Sequence, residues 1–315
     1  MYDLIGDIHG YAGHLKALLQ QLGYRENSGV WSHPDARQAI FLGDFVDRGP
    51  DQLETVLIAR AMVEAGSALA VMGNHEFNAV AYAMPDPEHP GEFMRPHTDK
   101  NTGQHKAFLN AVVEGSALHD DLIDWFRSLP LYLDLPGLRV VHACWHESSL
   151  QVLDGYLDEH NRLTDESWIF AARKGTEAYD AVEVILKGLE IALPEGTHFL
   201  DKENNPRSHI RSRWWHSGAT TFKKTAIVPP EALSAIPDRH VPADLLPGYD
   251  GKKPLFLGHY WLQADKPVPL TEHIACLDYS VASQHADANN HRGKLVAYRW
   301  QGEQVLTPDH FVWVS

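Results

Sequence analysis

The chain has 315 residues, with 27 Lys and Arg against 42 Asp and Glu for a formal balance of −15, and is long enough for one large α/β domain with a sizeable core. So acidic a chain repels polyphosphate backbones unless it gathers its arginines locally, which argues against stable nucleic-acid binding but not against a small phosphorylated substrate. No run of about 18 apolar residues is present to span a membrane, and Met1 leads straight into strand-like sequence with no room for a signal peptide. The two cysteines, Cys144 and Cys276, have no metal-finger spacing and make no disulfide framework, so a cytoplasmic protein is expected.

Residues 2–5 read as a buried strand. Asp7 and His9 leave its end two residues apart, so an extended backbone points both to one side, a spacing that suits two ligands on one metal. Residues 11–22 place Leu15, Leu18, Leu19 and Leu22 on one helical stripe, and 23–35 are polar, a loop or short hairpin. The apolar run 39–42 is a second strand, at whose end Gly43 permits a sharp turn. That turn delivers Asp44, Asp47 and Arg48, two carboxylates and an arginine that call for a metal and a phosphate. A helix over 50–65, begun by Pro50 and Asp51, leads to a third strand over 68–72 and to Gly73-Asn74-His75-Glu76. Three such blocks at strand ends give the crevice in which open α/β sheets carry active sites. The alternation of strand and helix predicts a parallel or mixed sheet with helices outside.

Beyond a proline-rich loop over 84–96, helical sequence is expected over 97–108 and 120–129, then strands over 131–135 and 138–142 turned by Pro136-Gly137. Residues 150–250 hold a helical stretch over 180–193, an aromatic and basic knot at Arg211-Ser212-Arg213-Trp214-Trp215, and a proline-rich run over 229–247. Strand-like sequence resumes at 254–257, so 150–250 is expected to be a cap or insertion within one domain of 1–315. Trp214 and Trp215 are either core of that cap or a platform for a nucleobase. Further strands are predicted over 274–277, 295–300 and 311–314.

Taken together, Gly6-Asp7-Ile8-His9-Gly10, Gly43-Asp44-Phe45-Val46-Asp47-Arg48-Gly49 and Gly73-Asn74-His75-Glu76 resemble the signature of the calcineurin-like metallophosphoesterases. The style is that of the branch holding the phosphoprotein phosphatases, lambda phosphatase and the bacterial symmetrical diadenosine tetraphosphate hydrolases. The resemblance implies a four-layer αββα fold, a central mixed β-sandwich flanked by helices, with a partly helical cap. It assigns Asp7, His9 and Asp44 to one divalent ion and Asp44, Asn74, His142 and His259 to a second, with Asp44 bridging. His146 rivals His142, because relatives usually follow that histidine with small residues and here the sequence is His142-Ala143-Cys144-Trp145-His146. Some branches carry a further histidine two residues after the closing Gly258-His259; here that position is Trp261, as expected of the phosphoprotein phosphatase branch. Oxygen and nitrogen donors without thiolate suit manganese or iron, with zinc, cobalt or nickel as other candidates.

On the same resemblance His75 is the general acid, held by Asp47. Arg48 grips the phosphate, Arg211 or Arg213 supplies a second guanidinium clamp, and Lys100 and Asn101 line the pocket. The implied activity is direct in-line attack by a hydroxide held between two divalent metals about 3.5–4 Å apart. Its target is a phosphomonoester, on a phosphoprotein or a small molecule. A dinucleoside polyphosphate is the alternative substrate. A scaffold that has lost catalysis is the alternative of another class, disfavoured because no ligand of the pattern is missing. The expected partners are therefore a phosphorylated small molecule, a nucleotide or a phosphoprotein, with no stable nucleic-acid complex and no membrane.

Overall fold

The computed structural model describes residues 1–200, 205–216, 218–283 and 292–315. Its first half alternates strand and helix: β1 (Tyr2–Ile5), α1 (Ala12–Leu22), β2 (Arg25–Asn27), β3 (Val30–Ser32), β4 (Gln38–Phe41), α2 (Gln52–Glu64), β5 (Ala68–Ala70) and α3 (Asn74–Ala83). The polar stretch after α1 is the hairpin β2–β3. Helices α4 (Asp99–Val112) and α5 (Ala117–Arg127) start where the hydroxyls of Thr98 and Ser116 accept the backbone N–H of Asn101 and His119, satisfying amides that a helix leaves open at its first turn. The chain continues through β6 (Tyr132–Asp134), β7 (Arg139–Val141), α6 (Glu147–Leu153), α7 (Ser167–Ala172) and α8 (Glu177–Lys187). Helix α8 ends earlier than the 180–193 pattern suggests: Gly188 leaves it at φ 88°, and the next residues become β8 (Glu190–Ala192).

After β8 come β9 (Phe199–Leu200), β10 (Pro206–Arg207), β11 (His209–Ser212), α9 (Phe222–Thr225) and β12 (Ala226–Ile227). The chain closes with β13 (Leu255–Leu257), β14 (Ile274–Cys276), β15 (Asp278–Tyr279), β16 (Lys294–Trp300) and β17 (Phe311–Val314).

Two mixed sheets form the centre. In one, β4 lies parallel between β1 and β5, and β1 pairs antiparallel with β16, Tyr2 opposite Trp300 and Ile5 opposite Ala297. Strand β16 also pairs with β15 and β17. In the other, β13 runs parallel to both β7 and β14, and β6 closes the β7 edge antiparallel. Side chains alternate across a strand. Leu4, Ile40, Val296 and Tyr298 of the first sheet meet Val140, Phe256 and Ala275 of the second in one buried layer. Their neighbours Ile5, Phe41 and Ala70 turn the other way, into a cluster with Leu15, Leu19, Val56 and Ala59 of α1 and α2. On the second sheet Val141, Leu257 and Cys276 belong with Leu150, Trp168 and Ile185 of α6–α8. The result is helix, sheet, sheet, helix, the four layers expected.

Residues 150–250 divide. Helices α6–α8 are part of the main core, whereas β8, β11 and β12 form a small antiparallel sheet over its own cluster of Ile191, Ile210, Phe222 and Ile236. Among the described residues no helix is long and apolar enough to cross a membrane.

The ends of β4 and β5 are pressed together at glycine. Gly43 sits at φ +90°, and a Cβ there would lie 2.3 Å from the backbone nitrogen of Gly73, so both the conformation and the space exclude a side chain. Gly43→Ala is expected to lower the unfolding free energy by roughly 2–4 kcal/mol. Gly29→Ala, at φ +88° with open space around it, should cost only about 1 kcal/mol. Urea melts of the two variants check this, and equal losses would refute the close approach.

Candidate active site

The turns after β1, β4, β5, β7 and β13 converge on Asp44. Its Oδ2 lies 3.4 Å from His142 Nε2, 3.7 Å from His9 Nε2 and 3.9 Å from His75 Nε2, while its Oδ1 accepts the backbone N–H of His75 at 3.0 Å. Asn74 Oδ1 is 2.7 Å from His259 Nδ1 and 3.3 Å from His142 Nε2. His9 Nδ1 and His142 Nδ1 donate to the carbonyls of Val46 and Leu42 at 3.0 and 2.7 Å, which turns Nε2 of each ring toward the centre. Asp7 accepts the N–H of His259 at 3.0 Å through Oδ2. Only glycine fits beside it, since a Cβ on Gly258 would come within 2.0 Å of Asp7 Oδ1.

These turns are strained. Six of the eleven non-glycine residues with positive φ among those described are His9, Asp44, Asp47, Arg48, His259 and Trp261, a backbone state that persists only where its surroundings enforce it. Part of that enforcement comes from Glu76. It is wholly buried, and its two oxygens accept four backbone N–H groups: those of Gly73 at 3.0 Å and Asp44 at 2.8 Å on Oε2, and those of Phe45 at 2.8 Å and Val46 at 3.3 Å on Oε1. Burial, and then the Asp44 charge, push its carboxyl up to about 7.

The electrostatics are those of buried carboxylates among imidazoles. Burial, with Asp278 next, raises the Asp7 carboxyl. Burial would raise Asp44 as well, but His142 and His75 hold it well below the usual carboxylate range. In return, Asp44 overcomes the effect of burial on His142 and lifts it to about 10. Burial, helped by the His75 charge, brings His9 down to about 3; burial and then Arg211 depress His259. Asp7 Oδ1, His9 Nε2 and His259 Nε2 are buried polar atoms with no hydrogen-bond partner among the described residues. Orphaned donors of this kind, around a central carboxylate, suit divalent cations, whose charge relieves the field that the carboxylates create. Among the described residues two groups meet the spacing of a metal site, His9 with Asp44 and His75, and Asp44 with His142 and His259, the ligand atoms of each lying within 4.8 Å of one another.

Beside this centre His75 Nδ1 stands 2.5 Å from Asp47 Oδ2, and His105 Nδ1 stands 2.8 Å from Asp47 Oδ1. An ionised carboxylate only accepts, so both rings donate to it. Burial would raise the Asp47 carboxyl, and the two hydrogen bonds outweigh it, bringing it to about 2. For His75, burial works against the charged form, but Asp44 and Asp47 prevail and raise the ring above its ordinary value. Arg48 is exposed and stacks on Trp261, with its guanidinium carbon 4.0 Å from the ring centroid. The backbone N–H of Trp261 donates to Asp278 at 2.8 Å.

Above the centre opens a cleft of about 740 Å³ lined by Arg48, Asn74, His75, Arg211 and His259, together with Asn78, Arg95, Lys187 and residues of α4 from Gly103 to Asn110.

The structure therefore brings Asp7, His9, Asp44, Asn74, His75, Asp47, Arg48, His142, His259 and Arg211 to one place. It does not bring Arg213, whose Nη1 donates to the carbonyl of Lys224 at 2.9 Å. Nor does it bring Lys100 and Asn101 to the cleft: they lie one turn too early on α4, where Asn101 Nδ2 donates to the carbonyl of Pro96. His146 caps α6, accepting the N–H of Ser149, away from the cluster. Trp214 and Trp215 are buried, with Trp214 Nε1 donating to Tyr260 Oη at 2.8 Å, so neither is a platform for a base. Sequence reasoning missed Glu76, which stood in a quoted block without a role, and His105, whose signal is its place on the apolar stripe with Phe108, Leu109 and Val112.

The family model described as "Calcineurin-like phosphoesterase" matches residues 2–177. The asymmetrical bis(5'-nucleosyl)-tetraphosphatase PrpE of Oceanobacillus iheyensis is 30% identical over 141 residues, 45% of this chain and 54% of that relative. The PrpE of a Geobacillus species is 48% identical over 73 residues, 23% and 30% of the two chains. The chain thus spans about half the length, or less, of these curated relatives. A cold-active protein-tyrosine phosphatase of a psychrophilic Shewanella species shares the fold with a TM-score of 0.50 at 14% identity, over 94% of this chain and 74% of that one.

Glu76→Gln keeps the size of the side chain but leaves one acceptor oxygen for four N–H groups. It is expected to lower stability by roughly 2–3 kcal/mol in urea melts. A change below about 0.5 kcal/mol would show that the turns hold themselves.

Proposed function

Because the chain belongs to the calcineurin-like phosphoesterase family, we propose that it is a metal-dependent hydrolase of phosphate ester or anhydride bonds, acting on a small and highly charged nucleotide of the dinucleoside polyphosphate class. The observation that carries this reading is the pairing of the Asp44 cluster and its orphaned ligand atoms with a cleft lined, among the described residues, by arginines and lysines and by no carboxylate. The names of the PrpE relatives point to the same substrate class.

In this reading Asp7, His9 and Asp44 hold one divalent ion and Asp44, Asn74, His142 and His259 a second, with manganese the first candidate for this oxygen and nitrogen set. When bound, the ions draw in phosphate oxygens and make water nucleophilic at neutral pH. The chain's own groups do the rest. Arg48, held by Trp261, and Arg211, with a buried Nε that has no partner, take phosphate oxygens in bidentate fashion. His75 keeps Nδ1 on Asp47 and presents Nε2 to the centre, so it protonates the departing oxygen. His105 fixes the other oxygen of Asp47 and so fixes the plane of the carboxylate that orients His75.

Apoprotein titrated with Mn²⁺ is expected to take up about two equivalents, and Asp44→Asn to lose both high-affinity uptake and turnover of diadenosine tetraphosphate. Uptake without turnover of diadenosine tetraphosphate, a phosphopeptide or p-nitrophenyl phosphate would make the protein a scaffold. Preference for the phosphopeptide would return the substrate to the phosphomonoester class.

His75→Asn should slow a substrate with a poor leaving group by roughly 10²–10⁴-fold and p-nitrophenyl phosphate far less, since nitrophenolate leaves without a proton. Equal losses on both would remove His75 from the acid role.

A further inference from the structure

Among the described residues five cations line the cleft, Arg48, Arg95, Lys106, Lys187 and Arg211, and none of the lining residues is Asp or Glu, in a chain whose formal balance is −15. Such a concentration opposes the average field of the molecule, and like charges held together destabilise the fold unless an anion joins them. Arg48 and Arg211, with the metal ligands, account for one phosphoryl group. Three cations remain.

Two of these three, Arg95 and Lys106, make no ion pair with a carboxylate among the described residues. Arg95 is positioned by neutral amides, donating through Nη1 to Asn78 Oδ1 and through Nη2 to Gln104 Oε1, both at 3.0 Å. The fork is held in place while its charge is left for something else. Lys106 is exposed on α4 and makes no hydrogen bond or ion pair among the described residues. Lys187 pairs with Glu183. Burial pulls its ammonium below the ordinary value against the pull of Glu183, and the charges of Arg95 and Arg211 push the same way, so these cations feel one another.

We propose that Arg95, Lys106 and Lys187, with the amides of Gln104 and Asn110, form a second anion subsite that takes another phosphoryl group of the same substrate, selecting molecules that carry a chain of phosphates. The assignment rests on the hydrolase reading for its first phosphoryl position but adds residues that the chemistry does not need. A dinucleoside polyphosphate and an inorganic polyphosphate offer the subsite the same group.

The test is equilibrium binding to metal-free protein by calorimetry, with inorganic tripolyphosphate and orthophosphate as probes, in the wild type, Lys106→Glu and Arg95→Gln. Circular dichroism of each variant verifies folding. Wild type should prefer tripolyphosphate by about tenfold or more, and Lys106→Glu should reduce that preference by about tenfold, the scale of one reversed charge beside a bound anion. In the manganese-loaded enzyme the ratio of kcat/KM for diadenosine tetraphosphate to that for p-nitrophenyl phosphate should fall in parallel, and inorganic tetraphosphate should respond to Lys106→Glu as the dinucleotide does. If tripolyphosphate and orthophosphate lose affinity equally, or neither changes, the subsite is overturned even where turnover persists. If a monophosphorylated peptide loses as much affinity as tripolyphosphate, the phosphate chain is the wrong occupant. A preserved tripolyphosphate preference with no turnover of any phosphate compound upholds the subsite and overturns the hydrolase reading instead.

Discussion

The geometry of the site depends on one buried carboxylate that touches no substrate. Glu76 projects from the first turn of α3 and gathers the N–H groups of residues 44–46 and of Gly73, so the turn after β4 and the turn after β5 are fixed against each other. Everything that converges on the centre inherits that fixation. Asp44 is aimed by its own positive φ, Asn74 and His75 follow Gly73 directly, and the His75 N–H returns to Asp44 Oδ1. A neutral side chain would satisfy fewer donors, and a longer one would not fit between glycines whose backbones already touch. The carboxylate also adds negative charge beneath Asp44, and the structure accepts that cost because unsatisfied amides at two helix-opening turns would cost more.

The charge pattern has two levels. Asp7, Asp44, Glu76 and Asp278 are buried at the base, and arginines and lysines line the cleft above. Neither level is favourable in isolation, since carboxylates crowded in low dielectric repel, as do cations crowded on one wall. Stacked, and with divalent cations in the base as proposed, the two would become a graded field that draws an anion inward. The Arg48 guanidinium sits at the junction, held by Trp261 rather than by a carboxylate. An ion pair there would have spent the charge; a ring face holds the group and leaves its N–H fork available.

How much of this is legible in the sequence follows from the kind of information each residue carries. Residues at strand ends are displayed by hydrophobic pattern plus glycine, so Asp7, His9, Asp44, Asn74 and His75 stand out from order alone, as does a mixed sheet with flanking helices, whereas the sandwich follows from the family resemblance. His142 ends an apolar strand and reaches Asp44, whereas His146, four residues on, is consumed in capping α6; the difference is whether the strand still aims the side chain. Lys100 and Asn101 share the helical face of Gly103 and Gln104 but lie one turn earlier on α4. Burial of His105, Phe108, Leu109 and Val112 fixes which face remains, and that face meets the cleft from Gly103 onward rather than at Lys100 and Asn101. Arg211 and Arg213 share strand parity, but β11 ends at Ser212, so Arg213 already belongs to the following turn. Trp214 and Trp215 close the space around Tyr260, a contact with a residue distant in sequence that no local pattern reports.

The matched stretch holds most of the reacting groups, and part of the cleft wall lies beyond it. The family match covers residues 2–177 and contains Asp7, His9, Asp44, Asn74, His75 and His142, the groups whose geometry the paired turns dictate. Lys187 lies at the end of α8, Arg211 on the small sheet with its separate core, and His259 after β13, all beyond it. The small sheet has its own buried cluster, bordered by Leu189 and Leu246, which also touch the main core, so a change in its strands falls first on that cluster rather than on the turns that hold the centre. A cation carried on such an appendage alters what enters the cleft while the reacting groups keep their places. In the proposed reading, the phosphate clamp that Arg211 supplies from this appendage is separable, in physical terms, from the carboxylate and imidazole geometry beneath it.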